Sequence, residues 1–278
     1  MVWLGTRLAE YLNSPIRTYK PFATHETPVL EKFLQPGDVL LVEGNSRIST
    51  AIKYLTQSTW SHSAIYVGET GIRSDDGEPC TLIEAEVSKG VIATPLSKYQ
   101  AFNTRICRPV GLKKADRQAV IDEVKDQLGN AYDLKHIFDL ARYLFPTPPV
   151  PVRFRRRMLA LGSNDPSRAI CSTVIAQAFQ HVKYPVLPRI SRTGIEGGLH
   201  YTEIEILHIR HHSLFAPRDF DLSPYFRIVK PTIERGFNYK KLHWAPGEPE
   251  LDEPEHIEKK KPKTRKLEKP TDDAPSES

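Results

Sequence analysis

The chain has 278 residues, 39% of them hydrophobic and 26% charged, which is ordinary globular composition. Its formal charge of +5 is spread along the sequence and does not single out a nucleic-acid partner. No apolar run approaches the roughly 20 residues needed to span a bilayer, no period repeats, and the three cysteines (Cys80, Cys107 and Cys171) argue against a disulfide framework or a CxxC metal knuckle.

Trp3, Leu4, Leu8, Tyr11 and Leu12 recur at helical spacing, so residues 1–34 read as an amphipathic helix followed by a linker. The N-terminus has no basic start with an apolar core and no small-residue cleavage site, so a signal peptide is not expected there. From Gln35 the pattern changes. Pro36-Gly37-Asp38 is a turn, and Val39 to Val42 is an apolar run of strand length. Ser49 or Thr50 can cap a short helix through Ile52 and Leu55. Further strands are expected at Ser63–Gly68, Leu82–Val87, Val91–Ala93 and Arg105–Val110.

Helical spacing returns at Ala119, Val120, Ile121, Val124 and Leu128, with Gly129 as the stop. A second helix is expected from Leu134 to Leu144, ended by a proline cluster. Residues 146–168 are proline-rich and then basic (Arg153, Arg155, Arg156, Arg157) and read as an insertion. Ile170 to Val182 reads as a helix with Val174, Ile175, Ala178 and Phe179 on its apolar face. Residues 246–278 carry proline and charge with little to bury, which predicts disorder. Strands followed by helices, with few alternating βαβ units, imply an α+β domain over 35–245 built on an antiparallel sheet.

Three residues are candidates for reactive chemistry, each with a plainer alternative: a small buried hydrophobe for Cys171, a structural or exposed histidine for His62 and a solvated strand face for Glu84. A thiol is a useful nucleophile only as thiolate, and a helix N-terminus with a neighbouring imidazolium produces one. Cys171 opens a predicted helix, whereas Cys80 and Cys107 lie on or beside predicted strands and read as small buried hydrophobes. His62 stands at the mouth of a strand, held by a rigid element with its ring reachable, as a general base requires. Strand alternation puts Glu84 and Glu86 on one face and Ile83, Ala85 and Val87 on the other, so Glu84 faces either solvent or a cleft where it can orient an imidazole.

PGDVLLVEG, SHSAIYVG, LIEAEVSKGV, LGNAYD and ICSTVIAQAF occur in an order that resembles the permuted papain-like cysteine hydrolases, in the YiiX/YaeF-like branch of the NlpC superfamily that includes "lipo-like" proteins. The resemblance spans about Gln35 to Val182. It implies a papain-like α+β fold in which the histidine precedes the cysteine, with Cys171 as nucleophile, His62 as base and Glu84 as the orienting carboxylate. Tyr132 matches a tyrosine that borders such sites, as a wall or as an oxyanion donor. The resemblance implies hydrolysis of an amide, ester or thioester through a thioester intermediate, without cofactor or metal. SHSAIYVG also resembles the lecithin:retinol acyltransferase family, which implies phospholipid-type acyl transfer or thioesterase activity as the alternative. A non-catalytic lipid- or peptide-binding module on the same fold is the reading from a different class.

His208, His211 and His212 form a histidine cluster that lacks an acidic or cysteine partner at metal-ligand spacing. The expected partner is a small-molecule, peptide or lipid substrate. Residues 1–15 and the basic loop 153–157 are the places where a peripheral membrane contact would form. The expected location is the cytoplasm, with or without membrane association.

Overall fold

The structure is a computed structural model that describes residues 14–15, 21, 25–86, 89–130, 171–197, 200–211 and 215–241. The chain divides into two units, Met1–Phe237 and Asn238–Ser278, the second described only around a 3-10 turn at Tyr239–Lys241. The helices expected at Trp3–Leu12 and Leu134–Leu144, the insertion at 146–168 and the tail at 246–278 lie outside the described residues.

Six strands form one antiparallel sheet: β1 (Val39–Val42), β2 (His62–Tyr66), β3 (Cys80–Glu86), β4 (Gly90–Pro95), β5 (Thr104–Pro109) and β8 (Phe226–Val229). Their order is β4-β3-β2-β1-β5-β8, so the most apolar segment, Val39-Leu40-Leu41-Val42, lies inside the sheet. All four of its residues are buried because both faces of the sheet are covered, which is why it shows no alternation. On one face Val39, Leu41, Ile65, Ile83 and Cys107 pack with α3 (Lys114–Asp126) and α4 (Cys171–His181). On the other, Leu40, Val42, Ala64, Leu82 and Ile106 pack with Leu30 of α1 (Thr27–Phe33) and with Leu96 and Tyr99 of a 3-10 turn, Leu96–Tyr99.

The α+β antiparallel fold is the one anticipated, with several local differences. Helix α2 spans Arg47–Thr56 and is capped by Ser46, whose Oγ accepts from the Ser49 N–H at 3.2 Å. Ser49 and Thr50, the caps expected from sequence, therefore lie within its first turns. Strand β2 begins at His62 and ends at Tyr66, because the Tyr66 carbonyl turns to accept from the Gly37 N–H. Five further elements were not anticipated: α1, the separate hairpin β6–β7 (Arg189–Gly197 and His200–His208), α5 (Arg218–Leu222), β8 and α6 (Pro231–Glu234). Strand β8 is only four residues long and is defined by the edge of β5 that it covers.

Helix α4 is held to the sheet by Phe179, which has no solvent exposure. Its ring meets those of Tyr184, Phe220 and Phe226 at centroid distances of 5.5, 6.5 and 5.3 Å. Phe179→Ala leaves a cavity at the centre of this cluster and is expected to destabilise the fold by about 3–5 kcal/mol. The measurement is the urea unfolding midpoint, with Phe179→Leu expected to lose less.

Candidate active site

Strand register creates the first half of the site. Ala64 pairs with Glu84, which makes His62 and Glu84 diagonal neighbours on one face of β2 and β3. Glu84 is 2% exposed, and the His62 Nε2 and Glu84 Oε2 atoms are 2.5 Å apart. The 3-10 turn after β4 folds back over the carboxylate: Lys98 Nζ donates to Oε1 at 2.5 Å and the Tyr99 hydroxyl donates to Oε2. Lys98 also reaches Glu86 Oε2 at 3.5 Å. A buried carboxylate is costly unless donors replace its water. Here both oxygens are met.

The second half arrives with α4. Cys171 is its first described residue and is 7% exposed. Its Sγ accepts from the Ser63 N–H at 3.3 Å, and the side chains of His62 and Ser63 both lower the thiol's pKa. Because Nε2 is committed to Glu84, Nδ1 is the nitrogen left for the sulfur. The imidazole thus sits at the end of β2, joining a carboxylate on one face of the sheet to a thiol on the other. Cys171, His62 and Glu84, singled out separately from sequence, come together, with His62 hydrogen-bonded to Glu84 and interacting with Cys171.

Burial disfavours charge on all three groups, and the partners reverse that preference. For His62 burial lowers the pKa, but Cys171 and Glu84 outweigh it and raise the imidazole to about 10. For Glu84 burial raises the pKa, but His62 and then Lys98 hold it at about 2. For Cys171 burial again raises it, while His62 and Ser63 bring the thiol below its ordinary value. Burial pushes the other two thiols, Cys80 and Cys107, upward without such compensation. Each partner thus favours the charged form of the others, shifting the site towards thiolate and imidazolium beside an ionised carboxylate.

His62, Glu84 and Cys171 open on a cleft of about 890 Å³, its mouth included. Apolar side chains of Ile48, Ile52 and Phe102 line part of it, with Asn45, Ser46 and Lys98 among the polar ones. Gly44 lies where β1 runs into this cleft. A Cβ there would meet Ser49 Oγ at 2.2 Å and Ser61 Oγ at 2.9 Å, and the Gly44 N–H donates to that same Ser61 oxygen.

Tyr132, the basic residues 153–157 and the segment 1–13 lie outside the described residues. In the histidine cluster, His208 Nε2 is 2.7 Å from Ser191 Oγ at the end of the β6–β7 hairpin, and His211 is exposed. Among the described residues no three His, Cys, Asp or Glu side chains gather as a metal site, and no helix is long and apolar enough to cross a membrane. Sequence reasoning missed Lys98, Tyr99 and Ser63. A carboxylate flanked by Ile83 and Ala85 was the usable signal for the first two, since its burial requires donors from a segment able to fold back over β3.

Glu84 has a sign-definite effect on stability. Its pKa is lowered on folding from an unfolded value near 4.5, so its contribution is present above that pH and is lost as pH falls towards about 2. The shift corresponds to on the order of 3 kcal/mol at neutral pH. Melting temperatures measured between pH 5 and 2 are expected to fall less steeply for Glu84→Gln than for the unmodified chain.

Residues 33–144 match the sequence model of a family described as "Permuted papain-like amidase enzyme, YaeF/YiiX, C92 family". The match contains His62, Glu84, Lys98 and Tyr99 and ends before Cys171. No curated protein matches. Among solved structures, the chain is similar to one titled as the metalloprotein YiiX from Escherichia coli O157:H7, at 18% identity and a TM-score of 0.42, covering 70% of this chain and 96% of that one. Over residues 33–144 the chain matches the sequence model of the permuted papain-like amidases.

Proposed function

We propose that the chain cleaves an amide through a thioester on Cys171, with His62 as the proton carrier and Glu84 as the group that orients and charges it. The observation carrying this reading is the buried pair of His62 Nε2 and Glu84 Oε2, 2.5 Å apart, with Cys171 near enough to raise the imidazole's pKa and to be lowered by it in turn. The family description, which names an amidase, supports the choice of bond.

In the mechanism, the Cys171 thiolate attacks the substrate carbonyl carbon, forming the C–S bond and placing the carbonyl electron pair on oxygen. The first-turn N–H groups of α4, which lack helical partners, are the donors assigned to that oxyanion. Collapse breaks the C–N bond, and His62 passes its Nδ1 proton to the departing amine. Water then attacks the thioester while His62 takes its proton. The C–S bond breaks, the acid leaves and the thiolate–imidazolium pair re-forms. Glu84 stays ionised throughout and compensates the imidazolium. The mixed lining of the cleft suits a substrate with an apolar group beside the scissile amide.

An activated ester such as p-nitrophenyl acetate reports the first half of this cycle. Intact-mass analysis is expected to show an acetyl group on Cys171 that disappears as turnover finishes, and Cys171→Ala is expected to show neither. His62→Ala and Glu84→Gln are expected to lower the rate by about 10²–10⁴-fold. Acylation at another residue, or full turnover by Cys171→Ala, would overturn the assignment. Hydrolysis of an amide panel then tests the bond.

A further inference from the structure

Resting on that reading, we propose that Ser63 is a positioning residue for Cys171, offering the sulfur its backbone N–H and, once the thiol ionises, its hydroxyl. Strand alternation directs Ser63 and Ile65 to the face of β2 that packs on α4, opposite to the face carrying His62. The Ser63 N–H already lies 3.3 Å from Cys171 Sγ. The side chain of the same residue is fully buried; its Oγ makes no hydrogen bond of good geometry, yet it is one of the groups that hold the Cys171 thiol below its ordinary value. A hydroxyl buried in this way is destabilising unless some state of the protein uses it.

Ionised sulfur supplies that use. Cys171 is 7% exposed, so its thiolate cannot rely on water, and one imidazolium contact leaves most of the sulfur surface unmet. The serine hydroxyl rotates about a single bond, and turning it onto Sγ provides a charge-assisted bond that a neutral thiol does not reward. Ser63 thereby favours the thiolate over the thiol while leaving the proton with His62. The other charged and titratable groups around the sulfur are His62 on β2, Glu84 and Glu86 on β3, and Lys98 and Tyr99 on the 3-10 turn.

The test is the rate of Cys171 alkylation by iodoacetamide against pH, mapped by mass spectrometry on the full chain. Ser63→Ala is expected to move the midpoint upward by about one pH unit, the effect of removing one hydrogen bond to a charged group. Ser63→Thr, which keeps the hydroxyl and suits a strand, is expected to hold it in place. Cys80 and Cys107 are buried and serve as internal reporters of folding, since both become reactive if a variant unfolds. If Ser63→Ala unfolds, the isosteric pair Ser63→Thr and Ser63→Val decides the matter through a midpoint difference of the same size. An unchanged midpoint in folded Ser63→Ala, or equal shifts in the Thr and Val variants, overturns the proposal. A His62→Ala arm separates this outcome from failure of the catalytic reading. If His62→Ala shifts the midpoint and Ser63→Ala does not, only the Ser63 role is lost; if His62→Ala shifts nothing, the Cys171–His62 pair itself is refuted.

Discussion

A carboxylate removed from water has to be met by donors, and the site is arranged around that requirement at Glu84. Three side chains from two separate elements converge on its two oxygens: His62 from β2, and Lys98 and Tyr99 from the 3-10 turn. Burial acts in the same direction on Glu84, His62 and Cys171, favouring the neutral form of each. Mutual attraction acts in the opposite direction and prevails at all three. Each charge is therefore conditional on the others, and single substitutions at these positions will not add. Without Glu84 the imidazolium loses its support, and without the imidazolium the thiolate loses its main one.

The sheet makes this arrangement geometrically undemanding. Antiparallel register places His62 and Glu84 on one face without any unusual backbone at either residue. The covering turn follows directly from β4, so the carboxylate and all its donors come from one continuous stretch of chain. Only Cys171 is brought from a distance, and it depends on packing to reach its place. The aromatic cluster around Phe179 fixes α4 against the sheet, and the Ser172 hydroxyl donates to the Phe215 carbonyl at 2.7 Å next to the nucleophile position. Lys98 shares Glu84 with His62, so the carboxylate balances two cations, while Glu86 takes part of the lysine's charge.

Much of this could be read from sequence because it depends on local pattern. Val39–Val42 announced a buried strand by its unbroken apolar run, and the observed strand has the same limits. His62 and Glu84 were legible as polar residues set in β-rich runs, and Cys171 as a thiol opening an amphipathic helix. What could not be read was what the turn after β4 would cover. Lys98 and Tyr99 belong to an unremarkable LSKY segment, and their meaning comes only from a hairpin that carries them back over β3. Ser63 was hidden for the opposite reason, being a small residue inside a strand whose significance depends on the helix packed against it. Strand β8 and hairpin β6–β7 were missed because their pairing partners, and not their composition, define them.

The order of the parts along the chain has a consequence for when the thiol becomes dangerous. Strands β2, β3 and β4 and the turn that follows form a meander of near neighbours, complete well before the polypeptide reaches Cys171. During synthesis the imidazole and its carboxylate can be assembled while the sulfur is still unmade. Until α4 docks, Cys171 is an ordinary thiol, largely protonated at neutral pH. Nascent, misfolded or partly degraded chains therefore carry a cysteine of ordinary reactivity, and the lowered thiol pKa belongs only to molecules that have completed folding.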